Sequence, residues 1–254
     1  TVMCLSSIST ATPADVAAAA PDVTRWFQLY CFRDDGVTRS LVEQAVESGF
    51  HALVLTADAP VVAKRERDLR SGFAISPDVP VPSLAAVLGA PAAGKPTELF
   101  AHVSPSVSWR DLARLASDVE LPVILKGVLT AEDARLAVEH GAAAVVVSNH
   151  GGRQLDGAAA SVDALPEVVD EVGDELEVLV DSGIRRGSDV AVALALGARA
   201  VLVGRPFLWA LAARGERGVV HVLELLREEL AVTLALLGCA SPATVTRSHV
   251  ARPV

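Results

Sequence analysis

The residues whose types and spacing could do chemistry are densest in VVVSNHGGRQLDG, residues 145–157, where an apolar run passes directly into Ser148, Asn149, His150, two glycines and Arg153. An imidazole can take up a proton near neutral pH. A guanidinium three residues later can hold a carboxylate through two parallel hydrogen bonds, and the glycine pair allows the tight turn between them. A histidine in a loop is more often structural than catalytic, but Gly-Gly and Arg beside it at the end of a strand favour the functional reading.

Two runs near the end of the chain suit an anion. VLVDSGIRRGSD (residues 178–189) and VLVGRP (residues 201–206) place Asp181, Gly183, Arg185, Gly204 and Arg205 where apolar segments stop. Glycine amides, helix starts and arginines are the means of binding phosphate, and the alternative is a pair of ordinary turns with solvated arginines. Lys126 closes LPVILKG; an ammonium there must either face an anion or lose its charge, which implies an anionic cofactor or substrate, with pairing to Asp58 or Asp181 as the structural alternative. Ser6 in LSS, Gln28 and Tyr30 in FQLY, and Thr56 and Asp58 in LTADAP add hydroxyls, an amide, a phenol and a carboxylate. AKRERDLR, residues 63–70, reads as a solvated helix face, with Arg65 close enough in sequence to Asp58 to act as a second anion clamp. His51, His102, His140, His221 and His249 show no metal-ligand spacing, so no metal is expected, and neither a G-x-S-x-G elbow nor a P-loop is present.

Seven apolar runs must position these groups: Val2–Ser7, Trp26–Cys31, Ala52–Asp58, Pro122–Gly127, Ala143–Asn149, Glu177–Gly183 and Ala200–Arg205. Helix-period segments follow most of them, at Pro13–Ala20, Val37–Ser48, Ala131–His140, Val162–Val172, Ser188–Leu196 and Val219–Leu237. Such alternation predicts a parallel sheet covered by helices. With the polar groups gathered at the strands' C-terminal ends, the expected fold is an α/β (β/α)8 TIM barrel with one strand missing. An open doubly wound sheet would also explain seven strands, but no G-x-G-x-x-G follows the first. The long interval after Asp58 holds PDVPVPS and GAPAAGKP, so a single domain over residues 1–254 with a mobile lid at about 61–120 is expected.

Composition narrows the function classes. The 254 residues carry 22 basic and 31 acidic side chains, a net charge of −9, which argues against nucleic acid as a partner. No apolar run is long enough for a membrane span. Three cysteines, Cys4, Cys31 and Cys239, suit neither a disulfide framework nor zinc, and point to a reducing cytoplasmic setting.

Taken together, LSS, FQLY, LTADAP, KRERDLRSGF, LPVILKG, VSNHGGRQLDG, DSGIRRGSDV, ALALGARAVLVGRP and RSHV resemble the FMN-dependent 2-hydroxy-acid oxidase and dehydrogenase family, which includes glycolate oxidase, lactate oxidase and mandelate dehydrogenase. The resemblance spans nearly the whole chain. It implies FMN at the C-terminal mouth of a barrel, oxidation of a small L-2-hydroxy acid to the 2-oxo acid, and oxygen or another acceptor for the electrons. A non-redox FMN barrel and a fold-only subunit are the competing readings. By resemblance, Ser6, Gln28, Thr56, Lys126 and Ser148 contact the cofactor, and Asp181, Gly183, Arg185, Gly204 and Arg205 take its ribityl chain and phosphate. Arg153 and Arg65 would hold the substrate carboxylate, with Tyr30 adding a hydrogen bond. His150 would be the base and Asp58 its carboxylate partner. A homo-oligomer, a tetramer, is likewise implied.

Three departures from the family pattern stand out. Ser182 replaces the first glycine of the usual DGG. Ile8 stands where glycolate oxidases carry a bulky aromatic, and Val62 is small, which favours a larger aliphatic or aromatic 2-hydroxy acid. The first run resembles the family's second barrel strand, so a preceding native segment with strand one and a substrate tyrosine is expected.

Overall fold

The structure, a computed structural model, describes residues 1–76, 78–88 and 96–251. Residues 89–95, most of the GAPAAGKP run of the expected insertion, lie outside the described residues. The chain divides into two compact units: residues 1–126 with 139–143, and residues 127–138 with 144–254.

In the first unit the elements are β1 (Met3–Ser6), α1 (Pro13–Ala19), β2 (Arg25–Leu29), α2 (Asp35–Glu47), β3 (Ala52–Thr56), α3 (Glu66–Ser71), α4 (Pro82–Leu88), α5 (Pro96–Phe100), α6 (Trp109–Asp118) and the start of β4 (Val123–Val128). β1 to β4 pair in chain order and in parallel, with Ser6 opposite Gln28 and Thr56 opposite Lys126. Every residue of β3, ALVLT, is buried, as a strand covered on both faces requires. Phe27 packs edge-on against Phe50 at 5.8 Å between ring centres, and Leu41 of α2 and Leu112 of α6 are buried. Buried Arg25 at the start of β2 donates from its two terminal nitrogens to the carbonyls of Ala20, Pro21 and Gly49.

The expected lid interval contains a good deal of packed structure. Val81, Leu84 and Val103 are buried, Val103 bridges Phe32, and α6 is a ten-residue helix with a Ser108–Asp111 capping box that leads into β4. α3, by contrast, buries no residue and carries the exposed Glu66–Arg70 ion pair, the solvated face expected of it.

The second unit comprises α7 (Ala131–Glu139, all but its last residue), β5 (Ala144–Val147), α8 (Ser161–Val172), β6 (Glu177–Val180), α9 (Gly187–Ala195), β7 (Ala200–Val201) and α10 (Arg205–Leu236). β5, β6 and β7 are parallel neighbours in chain order. The largest departures from the expected boundaries are at β7 and α10. β7 stops at Val201, and α10 begins at Arg205 instead of Val219. Pro206, within the first turn of α10, explains this, because proline's fixed φ starts a helix and its missing N–H is not needed there. Gly215, at φ 60° and ψ −144°, breaks α10 into two helical stretches, and only the second showed in the periodicity.

Candidate active site

In the first unit the strand register lines up a row of polar side chains. Ser6 Oγ donates to Gln28 Oε1 at 2.8 Å, and Gln28 Nε2 donates to Thr56 Oγ1 at 3.0 Å. The row fixes the amide of Gln28 in one orientation. Lys126, opposite Thr56 in the ladder, brings its Nζ to 3.8 Å from Asp58 Oδ2, one of the two partners left open by the sequence. Tyr30 is 8 % exposed and meets Phe100 edge-on at 5.3 Å. Burial and the negative charge of Asp58 push the phenol up to about 12, against a smaller opposing effect of Arg65. Tyr30 therefore remains a hydrogen-bond donor throughout the neutral range. Arg65, half-buried, occupies the N-cap position of α3 without a side-chain capping bond.

In the second unit, β5 runs into a single 3-10 turn, His150–Gly152. His150, Gly151 and Gly152 have φ of 56°, 68° and 69°, three left-handed residues in succession. Side chains hold that turn. The His150 amide donates to Ser148 Oγ at 3.0 Å, the Gly151 amide to Ser182 Oγ at 2.8 Å, and the Gly152 amide to Asn149 Oδ1 at 3.0 Å. Asn149 Nδ2 reaches the Ala159 carbonyl, and Ser161 Oγ accepts from the Asn149 amide. Arg153 follows, exposed. Arg205, at the first residue of α10, donates from its guanidinium to the Gly151 carbonyl at 3.0 Å.

The anion-binding residues proposed from sequence fall at loop starts in this unit. Gly183 has φ 88°, and at both Gly183 and Gly204 the volume that a Cβ would fill is open. Arg185 is exposed, and its amide, with that of Arg186, donates to Asp189 Oδ2, which leaves the guanidinium to solvent. Bare backbone at two glycines, two arginines and the N-terminus of α10 make a donor set that fits a phosphate dianion. The neutral Ser6–Gln28–Thr56 row with Lys126 beside Asp58 fits the amide-like edge of a flavin ring, and so the residues present suit FMN.

The FMN-dependent dehydrogenase family matches residues 1–252. The chain belongs to that family. It is 50 % identical over 249 residues to L-lactate oxidase of Nostoc sp., covering 94 % of this chain and 68 % of that protein. It is 44 % identical over 256 residues to glycolate oxidase of Spinacia oleracea, covering 99 % of this chain and 69 % of the relative. Among solved structures, mandelate oxidase with benzoyl-formic acid superposes with a TM-score of 0.85 at 43 % identity, over 97 % of this chain and 68 % of the other. The family's fold is the α/β barrel expected from the strand–helix alternation.

Sequence reasoning overlooked two residues that shape the site. Asn149 is read in the sequence only as one polar residue of the loop, although Asn is a turn-forming residue. Ser182 was noted only as a departure, and its partner Gly151 lies 31 residues away.

Proposed function

We propose that the chain oxidises a 2-hydroxy acid to the 2-oxo acid with FMN as cofactor and oxygen as electron acceptor, releasing hydrogen peroxide. Family membership and the lactate and glycolate oxidase relatives support the reaction class. The single structural observation that carries it is the His150 turn, because the loop bearing the candidate base is tied by hydrogen bonds to Ser182 and Arg205, in the two loops assigned to the cofactor.

FMN, when bound, supplies the two-electron acceptor. Each other task falls to a side chain. Arg153 and Arg65 hold the substrate carboxylate with fixed positive charge, the arrangement for which guanidinium is suited. Tyr30, protonated because burial raises its pKa, donates a hydrogen bond to the substrate. His150 Nε2 or Nδ1 accepts the proton lost by the substrate, and Asp58 is assigned as the carboxylate that stabilises the imidazolium. Ser6, Gln28, Thr56 and Ser148 orient the cofactor, and Lys126 balances the negative charge it gains on reduction. Asp181, Gly183, Arg185, Gly204 and Arg205 take its ribityl chain and phosphate.

Finer readings belong to the same proposal. Ile8 and Val62 favour a substrate with a larger aliphatic or aromatic side chain. Three free cysteines suit a cytoplasmic location, and no helix among the described residues is long and apolar enough to cross a membrane. Homo-oligomer formation is supported by apolar side chains exposed on α10, Trp209 and Leu236 among them. Oxygen uptake measured alongside 2-oxo acid formation tests the reaction: one oxygen consumed and one peroxide formed per 2-oxo acid supports it, and 2-oxo acid formed only with an added artificial acceptor contradicts the role of oxygen.

A further inference from the structure

Among the described residues, two that are not glycine have left-handed φ: His150 at 56° and Ser182 at 73°. They are one hydrogen bond apart. The amide of Gly151, in the peptide that follows His150, donates to Ser182 Oγ at 2.8 Å, and that hydroxyl donates its own proton to Asp181 Oδ1 at 2.7 Å. A hydroxyl has one proton to give, so both of its interactions have a defined direction.

The three successive amides of the turn each end on a side-chain oxygen, but the acceptors differ in kind. Ser148 and Asn149 directly precede His150 in the chain, whereas Ser182 lies in the loop after β6, 31 residues from Gly151. Of the three acceptors, Ser182 is therefore the one that ties the turn to the loop of another strand. On the other side of Gly151 its carbonyl is held by Arg205, and a Cβ at Gly151 would stand 2.9 Å from that guanidinium nitrogen. Side chains with a Cβ rarely adopt a φ of 73°, and such conformations persist where surrounding interactions over-determine them. Glycine, which the family pattern places at position 182, would hold this φ without strain but would bring no hydroxyl.

We infer that Ser182 is a positioning residue for His150: its hydroxyl locks the His150–Gly151 peptide to the Asp181 carboxylate and keeps His150 in the left-handed conformation from which it acts as base. This rests on the reading of His150 as the base given above.

Two variants separate the hydroxyl from the strain. Ser182→Ala keeps the Cβ and removes the hydroxyl, and Ser182→Gly removes both. In the full chain without FMN, amide exchange at Gly151 followed by NMR is expected to accelerate about tenfold in each variant, the worth of one net hydrogen bond. With FMN loaded, kcat is expected to fall about 10- to 100-fold in both, because a small displacement of a reacting group costs that much. The acid limb of the pH profile is expected to shift while KM stays near the parent value. Unchanged Gly151 exchange, or a lowered Tm with the parent kcat and pH profile, would overturn the inference. A parent chain that oxidises no 2-hydroxy acid would overturn the functional reading and this role together, whereas an active parent with unaffected variants overturns the role alone.

Discussion

The ammonium of Lys126 lies 3.8 Å from the carboxylate of Asp58, with the two side chains 13 % and 12 % exposed. A cation this sheltered is attracted more strongly to charge developing nearby than one in water would be. Replacing it with an isosteric apolar side chain, Lys126→Met, is expected to lower the reduction potential of bound FMN and to slow flavin reduction about 100-fold. Spectroelectrochemistry of parent and variant checks this; an unchanged potential would place the lysine's role elsewhere.

His150→Ala is expected to reduce kcat by about 10²- to 10⁴-fold, the usual contribution of a general base. FMN content, read from the flavin absorbance of the purified variant, is expected to stay at the parent level, since none of the groups assigned to the cofactor is removed. Near-parental turnover would remove His150 from the proton step.

The raised pKa of Tyr30 has a consequence for stability. In the unfolded chain the phenol ionises near 10, and in the native structure near 12. Between those values the native state binds the extra proton, so its advantage is fully present below about pH 10 and is lost as pH rises to about 12. That is a loss of roughly 2–3 kcal/mol for a shift of about two units. Urea unfolding at pH 9 and at about pH 11.5 should show a steeper alkaline decline in the parent than in Tyr30→Phe; parallel declines would mean that the buried phenol does not govern it.

Gly187 opens α9 directly against the second stretch of α10. A Cβ there would collide with Leu230 N and the Glu229 carbonyl carbon, both backbone atoms that no rotamer can move. The Gly187 amide also donates to Glu229 Oε2 at 2.8 Å. Gly187→Ala is therefore expected to cost at least about 1–3 kcal/mol of stability through overpacking. Thermal unfolding checks it, and an unchanged Tm would show that α10 can shift without cost.

What could be read in the sequence follows from locality. ALVLT and AVVV announced β3 and β5 because a short continuous apolar run between turn residues has few other uses in a chain of this composition. Gln28 and Thr56 were legible as polar groups at strand ends because they close or nearly close such runs, and the structure joins them by a hydrogen bond. The beginning of α10 was not, because residues 201–203 are as apolar as a strand and the proline that starts the helix comes only after them. Long-range ties were also out of reach: Glu229 closes on Gly187 over 42 residues and Arg205 on Gly151 over 54, with no local pattern to signal either. Ser182 was visible as a substitution, but its meaning lies in a backbone angle and a partner on another loop.

Anaerobic mixing of the FMN-loaded chain with a series of 2-hydroxy acids, from glycolate and lactate to aromatic members, tests the central claim most directly. The flavin absorbance is expected to bleach in proportion to 2-oxo acid formed, fastest with the larger side chains, and to return when oxygen is admitted. A flavin that stays oxidised across the whole series, in a chain shown to bind FMN, would contradict it.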